Sequence, residues 1–132
     1  MELLQTIKNR IALVFPGQGS QYVGMGRLLY NVSPAARRIF DRADEVLGFS
    51  LTTLCFEGPQ SELDDTMNAQ PAILAVSIAC LDALRERLNP LGVNILPAMV
   101  AGHSLGEFTF YYPANTIKGV IMEGLPTLSI KS

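Results

Sequence analysis

In the stretch Gly102-His-Ser-Leu-Gly106 a serine stands between two glycines, each two residues away, directly after the apolar run Ala98-Met-Val-Ala101. This G-x-S-x-G spacing suits a nucleophile. The serine takes a sharp strand-to-helix turn, where a side chain two residues to either side would collide with neighbouring backbone. The turn lifts the Ser104 hydroxyl above the sheet edge. It also aims the Leu105 N–H at a developing oxyanion, next to the positive end of a helix. The plainer alternative is a glycine-rich turn with a capping serine. The apolar strand ahead of it and the pattern of the whole chain favour the nucleophile. His103 is the single histidine, and adjacent residues at a strand end project to opposite sides, so it is badly placed to deprotonate Ser104 and better suited to a supporting role.

A second loop has matching qualities. Gly17-Gln-Gly-Ser-Gln21 follows the apolar run Ile11-Ala-Leu-Val-Phe15. Glycines at 17, 19, 24 and 26 do not fit the dinucleotide spacing G-x-G-x-x-G, and no lysine stands where a phosphate-binding loop needs one. A loop at the carboxyl end of a neighbouring strand would lie beside the serine and complete an oxyanion hole. Gln18 is the candidate donor, a group typically worth about 3 kcal/mol of transition-state stabilisation.

These loops need a scaffold, and the rest of the chain reads as one. Residues 1–10 form a short amphipathic lead-in, and residues 11–15 a continuous apolar strand of the buried, parallel kind. Ser33-Pro34 is an N-cap followed by a helix-starting proline. Ile39, Phe40, Ala43, Val46 and Leu47 then recur at helical spacing, and Gly48 ends the element. Residues 61–67 allow a short helix with Ser61 as cap and Asp64 three residues on. Pro71 is expected to open a longer helix to about Leu88, apolar on most faces, which Pro90 and Gly92 break. The second strand spans 98–101. Strand, helices, strand, with glycine-rich turns after each strand, is an α/β pattern with a parallel sheet. From Thr109 the texture changes: Thr109-Phe-Tyr-Tyr-Pro113 has little helix propensity, and beyond it only residues 120–121 suggest a strand.

Composition bounds the function. A chain of 132 residues, 48% hydrophobic and 17% charged, suits one globular unit, and a net charge of −2 argues against nucleic-acid or anionic-membrane partners. Cys55 and Cys80 cannot complete a usual zinc site with one histidine, so no metal is expected and both are read as buried free thiols. The N-terminus lacks the apolar core of a secretory signal, and the apolar stretch 72–81 falls short of the ~20 residues that span a bilayer. The expectation is a soluble, cytoplasmic protein.

Three stretches together resemble one family. Phe15-Pro-Gly-Gln-Gly-Ser-Gln21 with Gly24-Met-Gly26, then Gln70-Pro71-Ala72, then Gly102-His-Ser-Leu-Gly-Glu107 are similar, in order and spacing, to motifs of the malonyl-CoA:acyl carrier protein transacylases and the acyltransferase domains of fatty-acid and polyketide synthases. The resemblance covers residues 11–108. It implies that Ser104 is acylated by malonyl-CoA and hands the malonyl group to the phosphopantetheine thiol of acyl carrier protein, with no tightly bound cofactor. It implies an oxyanion hole from the N–H groups of Gln18 and Leu105, with His103 and Gln70 close by. It also implies an α/β-hydrolase-like large subdomain, into which a ferredoxin-like small subdomain is inserted later in the chain.

The family's serine works with a histidine base and a malonyl-binding arginine far downstream. Here every arginine, at 10, 27, 37, 38, 42, 85 and 87, precedes Ser104, and no histidine follows it. The later cations, Lys118 and Lys131, match a carboxylate less well than arginine's planar fork. Residues 1–108 are therefore expected to be the N-terminal part of the large subdomain. Residues 109–132 are read as a divergent tail, and the small subdomain as missing. Transfer is expected to be impaired or absent, with self-association through uncovered sheet edges. A non-catalytic remnant and an α/β-hydrolase-type esterase or thioesterase stand as alternatives.

Overall fold

The computed structural model describes residues 12–93, 95 and 99–102. The expected lead-in at 1–10, the helix after Ser104 and the tail from Thr109 lie outside them. The elements in chain order are β1 (Ala12–Phe15), α1 (Arg27–Val32), α2 (Pro34–Leu47), α3 (Leu51–Glu57), α4 (Gln60–Leu63), α5 (Thr66–Leu88), a 3₁₀ turn (Asn89–Leu91) and β2 (Met99–Gly102). β1 and β2 pair in parallel, with Ala12 opposite Met99 and Phe15 opposite Gly102. The helices between the two strands make the crossover that parallel pairing requires.

Helix α2 forms as its caps dictate. The Ser33 hydroxyl accepts from the Ala36 N–H at 3.1 Å, Pro34 supplies a ready-made helical φ, and Gly48 closes the helix at φ 76°. Ser33 is buried, so its hydroxyl needs a second partner. It donates to Glu86 Oε2 at 2.5 Å, and the same carboxylate accepts from the Ala35 N–H at 3.3 Å. The end of α5 thus places a negative charge on the positive end of α2. These two helices share the largest interface in the fold. Alanines face each other there, Ala36 and Ala43 on α2 and Ala72, Ala75 and Ala79 on α5, all fully buried, and small side chains let the helix axes approach.

Two hydrophobic clusters result. The larger gathers Met25, Phe40, Leu51, Leu54, Cys55 and Leu63 around the alanines, with the rings of Tyr30, Phe40 and Phe56 meeting edge to face at 5.3–5.9 Å. The smaller joins Phe15 of β1 to Leu74, Ile78 and Leu81 of α5 and to Ile95. It anchors the strand to the helix.

Several expectations change. Helix α5 starts at Thr66, with Pro71 inside it, because the Asp65 carboxylate accepts from the Met67 N–H at 2.9 Å and starts the helix five residues earlier. The short helix expected at 61–67 is α4, which starts after Pro59 without a side-chain cap and ends at Leu63 with Asp64 as its C-cap; Ser61 lies inside it and caps nothing. Helices α1 and α3 form where the sequence pattern marks no helix. Leu-Thr-Thr-Leu has weak helix propensity, yet α3 forms because the Ser50 hydroxyl accepts from Thr53 N–H and Gly58 receives the chain at φ 78°. Cys55 is buried as expected, but Cys80 is exposed, on the side of α5 that lines a cleft beside β1. β1 is buried on one face only: Phe15 packs on α5 while Val14 is 73% exposed. The length argument against a membrane span also fails, since residues 66–91 are long and apolar enough to cross one. In the fold, however, nine residues of that helix are buried in the protein core.

Gly26 shows how tightly the larger cluster closes. It sits at φ 80°, and a Cβ there would lie 2.5 Å from Cζ of the buried Phe40 ring. Gly48 has a similar φ of 76° with open space around it. Gly48→Ala is expected to carry only the left-handed strain, about 1 kcal/mol. Gly26→Ala adds overpacking and should destabilise by about 1–3 kcal/mol more. Urea denaturation of the two variants checks the difference; equal midpoints would show that the Phe40 ring yields freely.

Candidate active site

The parallel register sets the site. With Phe15 opposite Gly102, both strands end at the same level, so the loops leaving their carboxyl ends start as neighbours. One is the glycine-rich loop of residues 16–26. The other begins at Gly102, and the predicted His103, Ser104 and Leu105 lie outside the described residues.

The first loop is held by side chains rather than by regular structure. Gly19 takes φ 104°, a conformation that other residues rarely adopt. Its N–H donates to Gln21 Oε1 at 2.8 Å, and the Ser20 hydroxyl donates to the Gly17 carbonyl at 2.7 Å. Gln21 Nε2 reaches across to Asp64 Oδ1 at 3.0 Å, and Gln60 Nε2 donates to the same oxygen at 2.8 Å. Gln60 Oε1 accepts the Val23 N–H at 3.0 Å, and the Gly24 N–H reaches the Cys55 carbonyl at 2.8 Å. The loop is therefore strapped to α3 and α4 along its length.

Gln18, the predicted donor, is exposed, and its Nε2 donates to Thr66 Oγ1 at 3.0 Å at the start of α5. Among the described residues, its backbone N–H has no hydrogen-bond partner. Gln70, half-buried, stands one helical turn beyond Thr66, on the same face of α5. The structure thus ties the Gln18 side chain to the first turn of α5, the helix that carries Gln70 one turn further on. Thr66, Gln60 and Asp64 had not been singled out as site residues. The four-residue spacing of Gln60 and Asp64, an amide and a carboxylate one turn apart, was the available signal.

Electrostatics separate the titratable groups by role. The hydrogen bonds from Gln60 and then Gln21 hold the Asp64 carboxyl below its ordinary value. Burial, with a smaller contribution from Asp44, pushes the Cys55 thiol up to about 12, so it stays protonated and is no nucleophile. Among the described residues, no cluster of histidine, cysteine or acidic side chains is arranged to hold a metal.

A lowered folded-state value means that the Asp64 network stabilises the fold above the ordinary carboxylate range and is lost as pH falls through the folded value. Carboxyl-detected NMR titration should place the Asp64 midpoint below that range. Gln60→Ala should raise it more than Gln21→Ala; the reverse order would show that Gln21 is the stronger donor.

The family model for the acyl transferase domain matches residues 12–123. Over 109 residues the chain is 49% identical to the malonyl CoA-acyl carrier protein transacylase of Bacillus subtilis (strain 168), covering 83% of this chain and 32% of that one. It is 41% identical over 120 residues to the mitochondrial malonyl-CoA-acyl carrier protein transacylase of Homo sapiens, covering 91% of this chain and 30% of that one. Among solved structures it resembles the acyl-carrier-protein-S-malonyltransferase from Bartonella henselae, with a TM-score of 0.72, 43% identity, and coverage of 81% of this chain and 34% of that one. A solved complex of a type II PKS acyl-carrier protein with its malonyl-transacylase is similar at a TM-score of 0.70 and 40% identity, over 81% of this chain and 33% of that one. The chain spans about a third of the length of the curated relatives it matches.

Proposed function

We propose a function from one premise: the chain belongs to the acyl transferase domain family. Its reaction is the transfer of a malonyl group from malonyl-CoA to acyl carrier protein through an acyl ester on Ser104. The supporting observation is the β1–β2 register, which starts the donor loop and the Gly102 turn side by side. The malonyl-transacylase names of its relatives support the choice of acyl group.

In the proposed sequence the Ser104 hydroxyl attacks the thioester carbonyl carbon. The carbonyl becomes an oxyanion facing the N–H groups of Gln18 and Leu105, the C–S bond breaks, and the proton released by serine ends on the CoA thiol. The phosphopantetheine thiol then attacks the ester carbon, the C–O bond breaks, and Ser104 regains its proton. His103 and Gln70 border the site. Residues 105–132 contain no histidine or arginine, so the downstream base and guanidinium that the family resemblance implies are not among them. Acylation by the chain as it stands is correspondingly slow, sustained by oxyanion stabilisation alone. Residues 1–108 are read as the N-terminal part of an α/β-hydrolase-like large subdomain, and residues 109–132 as a divergent tail whose first part, to residue 123, still falls within the family match. A cytoplasmic location goes with the reading.

Incubation with labelled malonyl-CoA, followed by peptide mass spectrometry, should find a slow adduct on Ser104 that Ser104→Ala abolishes. Added acyl carrier protein should take up the label. Release as free malonate would instead indicate a hydrolase, and no adduct a non-catalytic fragment.

The uncovered side of β1 supports self-association as part of the proposal. A cleft of about 310 Å³ lies between β1 and α5, with Leu13, Val14 and Phe15 on one wall and Val76, Cys80 and Leu84 on the other, and Val14 is exposed at it. Sedimentation velocity should show mass rising with protein concentration, and Val14→Lys should suppress the rise. A monomer at all concentrations would refute it.

A further inference from the structure

The donor proposed at Gln18 is a backbone N–H, so no side chain of its own can aim it. Its direction is set by the peptide plane between Gly17 and Gln18. Because that unit is flat and trans, the Gln18 N–H points opposite to the Gly17 carbonyl. The Ser20 hydroxyl holds that carbonyl at 2.7 Å. The next plane, between Gln18 and Gly19, carries the Gly19 N–H, and Gln21 Oε1 holds it at 2.8 Å. Both planes that meet at the Gln18 Cα are thus gripped by side chains two and three residues ahead. Gln21 is itself held from outside the loop by Asp64 Oδ1 at 3.0 Å, and Gln60 shares that oxygen at 2.8 Å.

We infer that Ser20 and Gln21 are positioning residues that orient the Gln18 N–H, with Asp64 and Gln60 holding Gln21 in place. The inference rests on the reading of Gln18 as an oxyanion donor. Two consequences follow from the geometry. A loop without regular structure keeps one direction for its N–H, so little reorganisation is needed when charge develops on the substrate. The hydroxyl on the Gly17 carbonyl also polarises the shared peptide unit, making the Gln18 N–H a stronger donor. The Gln18 side chain bond to Thr66 Oγ1, at 3.0 Å, keeps the long amide of Gln18 turned towards α5.

Amide exchange and chemical shifts, read by NMR on the full chain without substrate, test the geometry independently of activity. In Gln21→Ala the Gly19 amide should exchange about tenfold faster, the loss of one ordinary hydrogen bond. In Ser20→Ala the Gln18 amide resonance should move, and Ser20→Thr, which keeps the hydroxyl, should restore it. Asp64→Ala should loosen Gly19 as Gln21→Ala does, while Asp64→Asn, which keeps an acceptor oxygen, should do so less. Amides of the Phe40 cluster should stay protected throughout. An unchanged Gly19 amide in Gln21→Ala, or an unmoved Gln18 resonance in Ser20→Ala, would overturn the inference. So would a loss of protection spreading to the core, which would make these side chains general supports of the fold. Failure of the Ser104 adduct with these shifts intact would sink the acyl-transfer reading and leave the pinned geometry standing.

Discussion

Everything in this fold that bears on chemistry descends from the pairing of two four-residue strands in parallel and in register, Phe15 beside Gly102. A slip of one residue would turn Phe15 away from α5 and expose it, since side chains alternate between the faces of a strand. Phe15 is 6% exposed and packs with Leu74, Ile78 and Leu81, so the register is held by burial of a large ring as well as by the ladder. Two loops then leave one sheet edge at one level. The proposed oxyanion hole uses that arrangement, because its two amide donors are rooted in separate strands and have to converge on one oxygen.

The helices serve this pairing. A parallel pair needs a long crossover, and here α5 carries it while packing against both clusters. Its facing alanines bring α2 close, and its last turn lends Glu86 to the α2 N-terminus through Ser33 and Ala35. The first turn of the same helix holds Gln18 through Thr66 and sets Gln70 one turn on. One helix therefore joins the core to the loop.

The legible parts of the sequence were those governed by local chemistry. Ser33-Pro34 and Gly48 bounded α2 because a cap, a fixed φ and a left-handed glycine act within a few residues. The apolar runs marked both strands, and the glycines around 17–26 marked a loop that ordinary residues could not trace. What stayed hidden depended on contacts distant in sequence or on competing signals. Pro71 looks like a helix start, but Asp65 caps earlier, and a proline six residues in removes one N–H from a helix that the core already holds. Thr52 and Thr53 argue against α3 by propensity, and the burial of Leu51, Leu54 and Cys55 outweighs them. The partnership of Gln21 with Asp64 spans 43 positions, and no local pattern announces it.

The glycine-rich loop also shows why its motif mixes glycine with hydroxyl and amide side chains. Glycine alone gives access to φ 104° at position 19 but leaves the chain free to visit many other conformations. Ser20 and Gln21 restrict that freedom by gripping the adjacent peptide planes, and Asp64 fixes Gln21 against the scaffold. Flexibility in the backbone and constraint from the side chains are thus complementary requirements. The first lets an N–H face outward, and the second lets it stay there before a substrate arrives. In the proposed reaction the ordering entropy of the loop is met during folding, so the donor needs little further alignment as the transition state forms.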